Sequence, residues 1–99
     1  MIEVPHRLTP TQQSLLKEAI HKQDPQALVY LFGSRTDTTR QGGDIDILIL
    51  SQTLSQRELR EIRYAFFQAF GEQRLDILLD KPDIHKTFTK VILEKAIQL

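Results

Sequence analysis

The apolar positions of the chain fall into short runs separated by polar breaks, and the spacing within each run names an element. Leu15, Leu16, Ala19 and Ile20 recur at helical spacing. Ahead of them Thr9-Pro10-Thr11-Gln12 reads as a helix start: Thr9 caps, Pro10 suits the first helical position, and Gln12 reaches back to close a capping box. Asp24-Pro25 ends that helix. Ala27 to Phe32 is an unbroken apolar run rich in strand formers, which predicts a strand buried on both faces. A polar stretch from Gly33 to Gly43 follows, then a second strand from Ile45 to Leu50. Ser55 and Glu58 form a capping box, with Leu54 and Leu59 at the staple positions. The helix they open carries Leu59, Ile62, Phe66, Ala69 and Phe70 along one face and stops at Gly71. Leu75 to Leu79 predicts a third strand. After Lys81-Pro82 a last amphipathic helix uses Phe88, Val91, Ile92 and Lys95/Ala96, with Leu99 closing the chain. The order helix, strand, strand, helix, strand, helix describes a small α/β (α+β) domain, a small mixed sheet with helices packed on one side. With no repeat, linker or charge block, residues 1–99 read as a single domain.

Composition narrows the chemistry. Lys and Arg number 13 and Asp and Glu 13, so no net field draws the chain toward nucleic acid or an anionic membrane. There is no cysteine, which removes disulfides, thiolate nucleophiles and cysteine-held metal. No apolar stretch approaches the ~18–20 residues that span a bilayer. The opening MIEVPHRLTP has charges and prolines where a secretion signal needs an apolar run, so the expected location is the cytoplasm. His6, His21 and His85 stand in no metal-binding spacing and are expected at the surface. Arg57, Arg60 and Arg63 are interleaved with Glu58 and Glu61, the pattern of a solvated, ion-paired helix face rather than a nucleic-acid groove. Phe67 falls off the apolar stripe of its helix, consistent with a protein interface.

The polar residues inside the strands are more telling. Asp44 and Asp46 punctuate the start of an otherwise apolar strand, and residues two apart on a strand share a face. Asp76 sits inside the comparable run Leu75-Asp76-Ile77-Leu78-Leu79. One aspartate would most simply cap a turn or face water. A pair, joined by a third if the two strands are neighbours, puts mutually repelling carboxylates on one patch, and a hard divalent cation such as Mg²⁺ or Mn²⁺ is the usual remedy. Directly after the first strand, Gly33-Ser34-Arg35 offers backbone amides, a hydroxyl and a guanidinium suited to phosphate. A Gly-Ser turn alone says little. A phosphate cradle beside a metal site is the arrangement that phosphoryl and nucleotidyl transfer require.

Leu31-Phe32-Gly33-Ser34-Arg35, a short polar loop, and Gly43-Asp44-Ile45-Asp46-Ile47-Leu48 together resemble the GS…DxD signature of the DNA polymerase β-like nucleotidyltransferase superfamily. The likeness is greatest to its minimal members, the MNT proteins, often encoded beside a HEPN-domain partner in prokaryotic toxin–antitoxin pairs. The resemblance implies that Gly33 and Ser34, with Arg35, bind the nucleotide triphosphate. It implies that Asp44 and Asp46 hold two Mg²⁺ ions, with Mn²⁺ as an alternative. Asp76 would complete the metal site and help deprotonate the acceptor hydroxyl. The implied activity is transfer of AMP from ATP to a hydroxyl of a HEPN ribonuclease toxin, with this chain as its antitoxin, since 99 residues leave little room for a lobe that grips an acceptor. Homo- or hetero-oligomers fit that picture; direct nucleic-acid or membrane binding does not. Many minimal members carry a glycine three residues after the arginine, where this chain has Thr38, and its loop is short. Those departures favour an alternative, a binding module that neutralises its partner by occlusion.

Overall fold

The computed structural model describes residues 8–33, 45–71 and 74–99. Its elements, in chain order, are α1 (Pro10–Gln23), β1 (Leu28–Phe32), β2 (Ile45–Leu50), α2 (Gln56–Phe70), β3 (Leu75–Asp80), α3 (Thr87–Leu93) and β4 (Ile97–Gln98). Both expected capping boxes form. Gln12 N donates to Thr9 Oγ1 at 3.1 Å while Thr9 N donates to Gln12 Oε1 at 3.0 Å. Ser55 N donates to Glu58 Oε1 at 2.7 Å. The Ser55 hydroxyl bonds the same oxygen, and together they hold the Glu58 carboxyl below its ordinary range.

Gly71 stops α2 as anticipated, its N–H donating to Phe67 O at 2.8 Å with φ 80° and ψ −157°. Nothing lies within 4 Å of where a Cβ would project, so space is no obstacle to a side chain there. The backbone is, because only glycine occupies that region without strain of about 1–3 kcal/mol. Gly71→Ala is therefore expected to cost about that much in a denaturant melt, with no repacking of neighbours. A cost near zero would show that the helix end relaxes.

The sheet order is β3-β2-β1-β4. β1 and β2 pair antiparallel, whereas α2 carries the chain back across the sheet so that β3 runs parallel to β2. Side-chain alternation then sorts the strands into two faces. Val29, Leu31, Ile45, Ile47, Ile49 and Leu75 pack with Leu16 and Ile20 of α1 and Leu59, Ile62 and Phe66 of α2, making the main core. Each Leu or Ile fully buried there contributes about 1.5–3 kcal/mol, so this face dominates stability. On the other face Leu48 and Leu50 meet Ile92 of α3, with Tyr30, Phe32, Leu78, Leu93 and Ala96 around them. Two helices thus cover one face as the pattern requires, and the short α3 caps part of the second.

Four details differ from the sequence expectation. β1 is not buried on both faces: Val29 and Leu31 are buried, Tyr30 and Phe32 half-buried and Leu28 exposed, because α3 is too short to cover that side. The last helix ends at Leu93, leaving Lys95 and Ala96 outside it; the tail turns back as β4, pairing Ile97 with Leu31 and Gln98 with Tyr30. Ile92 faces the sheet, but Phe88 and Val91 are 60% and 57% exposed, so the apolar stripe of α3 lies on Thr89 and Ile92 instead. On α2, Ala69 is exposed while the rest of its predicted stripe is buried or half-buried.

Candidate active site at the paired aspartates

The alternation that buries Ile45, Ile47 and Ile49 against the helices turns Asp46 to the opposite face with Leu48 and Leu50. Parallel pairing sets Ile45 beside Leu75 and hence Asp46 beside Asp76. Neighbouring strands lie about 4.8 Å apart, so the two carboxylates leave adjacent backbones on one face. On the other flank Asp46 pairs with Phe32, and Gly33 follows immediately with φ 141°. That is a positive φ at which a side chain would be strained, so the chain leaves β1 through a glycine-only turn next to the aspartates. Asp46 and Asp76 are both half-buried and lie outside the apolar cluster under α3, on the same face of the sheet.

The structure therefore brings together Asp46, Asp76 and the end of β1 at Gly33. Ser34, Arg35 and Asp44 lie outside the described residues, as do Thr38, Gly42, Gly43 and His6. Among the described residues no group of three His, Cys, Asp or Glu side chains is placed to hold a metal ion. Two hard carboxylate donors in register nonetheless match the chemistry of Mg²⁺ or Mn²⁺, which fill their remaining positions with water or phosphate oxygens.

A residue that sequence reasoning passed over stands beside this pair. Arg74 Nε approaches Asp76 Oδ2 at 3.3 Å and Oδ1 at 3.5 Å. The signal was the i, i+2 spacing on an extended segment.

The opposite end of the sheet holds a buried polar framework that the sequence did not announce. Ser51 Oγ donates to Asp24 Oδ2 at 2.5 Å and accepts from the N–H groups of Thr53 and Leu54 at 3.1 and 3.0 Å. The Ser51 hydroxyl, with the Gln26 N–H at 3.0 Å, holds the Asp24 carboxyl below its ordinary range despite burial. Nearby, Asp80 at the end of β3 accepts from the backbone N–H groups of Lys81, His85 and Lys86 at 2.7, 3.2 and 3.0 Å. Burial pushes this carboxyl up, but those donors outweigh it and hold the group far below the usual carboxylate range. The buried Thr89 hydroxyl makes no hydrogen bond of ordinary geometry, yet it lies close enough to favour the ionised form of Asp80. The turn they organise includes Ile84 at φ 53°, an unfavourable conformation for a branched side chain. These aspartates are structural: their oxygens are spent on backbone N–H groups and, at Asp24, on the Ser51 hydroxyl.

The two described histidines are likewise accounted for. His21 Nε2 bonds Ala27 O at 3.0 Å, and the exposed His85 meets Asp83 at 2.9 Å. Among the described residues no helix is long and apolar enough to cross a membrane.

No curated protein matches the chain. A family model does, over residues 14–99, which takes in every described strand and helix beyond the first turn of α1. Two aspartates in register beside a glycine turn, on a mixed sheet backed by two helices, thus belong to a chain that is a member of the nucleotidyltransferase domain family, in the polymerase β-like superfamily.

Proposed function

We propose that this domain transfers AMP from ATP to a hydroxyl group on a partner protein, with a HEPN ribonuclease toxin as the partner and neutralisation of that toxin as the outcome. The observation that carries this reading is the register of Asp46 with Asp76 next to Gly33. General nucleotidyl transfer follows from family membership. The choice of a HEPN toxin rests on the likeness of the GS…DxD segment to the minimal members of the superfamily. Exposed Tyr64 and Phe67 on α2 support a protein partner, since aromatic side chains are enriched where proteins meet.

In the proposed reaction the acceptor oxygen attacks the α-phosphorus of ATP. The bond to the β-phosphate oxygen breaks, pyrophosphate leaves, and the hydroxyl proton passes to the Asp76 carboxylate. Gly33, Ser34 and Arg35 hold the triphosphate in line for that attack. Asp44, Asp46 and Asp76 would hold Mg²⁺, which supplies neutralisation of the phosphate charge when bound.

Label transfer tests the reading. Incubation with cell lysate and ATP labelled at the α- or the γ-phosphate, beside an Asp44→Asn control, is expected to place label on one protein from the α position only. Transfer from γ alone would indicate a kinase. A second reading, occlusion without chemistry, shares the exposed aromatics of α2. It predicts that the Asp44→Asn, Asp46→Asn double variant neutralises the partner as well as the native chain does.

A further inference from the structure

We infer that Arg74 is a built-in counter-cation of Asp76, the half of the aspartate pair that it touches, and that a divalent ion must displace it, so that this residue sets the metal affinity of the site. The inference rests on the reading of those aspartates as a cation site. Two like charges side by side on neighbouring strands destabilise the pairing. Here the register forces that juxtaposition, and both flanking strand residues, Ile45 and Leu75, are buried in the core and prevent a slip. Arg74 is held where it can compensate. Its carbonyl accepts from Ile45 N at 3.0 Å, which ties its backbone to the start of β2, and its Nε meets both oxygens of Asp76.

The contact has the character of one made to be exchanged. It is long, is made through Nε, and joins side chains that are 70% and 48% exposed. Pairs of this kind shift an equilibrium by less than about tenfold, far less than a buried bidentate pair would. A divalent cation bound to the same oxygens excludes the guanidinium, and the antagonism is reciprocal: whatever removes Arg74 tightens metal binding.

The test titrates the full chain with Mn²⁺ alone, followed by the paramagnetic resonance of the free ion, in wild type, Arg74→Gln, Asp76→Asn and the double variant. Arg74→Gln is expected to bind Mn²⁺ about three- to fivefold tighter than wild type. The gain should shrink at high ionic strength and vanish when Asp76→Asn is already present. A second readout is independent of the metal titration: in EDTA the Arg74→Gln melt should fall slightly below wild type, and saturating Mn²⁺ should close the gap. Equal or weaker Mn²⁺ binding by Arg74→Gln, with wild type still tighter than Asp76→Asn, overturns the role of Arg74 and leaves the cation site standing. Indistinguishable binding by wild type and Asp76→Asn overturns the cation site at Asp76 and the inference with it.

Discussion

Asp46→Asn is expected to lower nucleotidyl transfer by about a thousandfold or more while leaving the fold intact. In the proposed reaction Asp46 is a metal ligand; withdrawing it would remove several kcal/mol of charge stabilisation, and each 1.36 kcal/mol is a factor of ten in rate. The same substitution should not harm folding. Asn is nearly isosteric with Asp and the side chain is only half-buried, so the core packing around it is kept. A thermal melt in EDTA should therefore still show a cooperative transition close to that of wild type. Full transfer activity in Asp46→Asn would remove Asp46 from the reaction, whatever the melt showed.

Asp80→Asn should do the reverse, leaving the functional face in place but costing about 3 kcal/mol of stability. The carboxylate is 5% exposed and serves three backbone N–H groups that have no other use for their protons. An amide in its place turns one acceptor oxygen into a donor and strands buried N–H groups, each worth about 1–3 kcal/mol. For a domain of this length that corresponds to a fall in Tm on the order of 10–20 °C. The pH dependence has a definite sign. The folded value lies below the ordinary 3.8, so the contribution is complete above about pH 5, where the group is ionised in both states. As pH falls below 3.8 the unfolded chain takes up the proton first, and the advantage of wild type over Asp80→Asn declines toward the folded value. Melts of both proteins from pH 7 to pH 2 should converge. A gap that stayed constant to pH 2 would mean that ionised Asp80 is not what the turn depends on.

These two residues also mark how far the sequence could be read. Asp44, Asp46 and Asp76 stood out because charge inside an apolar strand is anomalous, and the GS…DxD spacing supplied a family that the match over residues 14–99 supports. Asp80, at the end of the same kind of run as Asp76, carried no such signal. What separates the two is the partner set: Asp80 is enclosed by the amides of its own turn, while Asp76 meets an exposed guanidinium. Ser51 and Asp24 were silent for the same reason, since 27 positions separate the two ends of their hydrogen bond.

From the chain alone came everything governed within a few residues: the caps at Thr9 and Ser55, the stop at Gly71, the alternation of Ile45 to Leu50 and the apolar stripe of α2 at Leu59, Ile62 and Phe66. Capping and periodicity are short-range interactions, so they are legible before folding. The tertiary structure decided the register that seats Asp46 beside Asp76, the approach of Arg74, the return of the tail as β4 and the face to which α3 was assigned. Each of those depends on burying apolar surface between segments distant in sequence, where the 15-residue α2 sets the direction of β3 and the core residues on either side set its alignment.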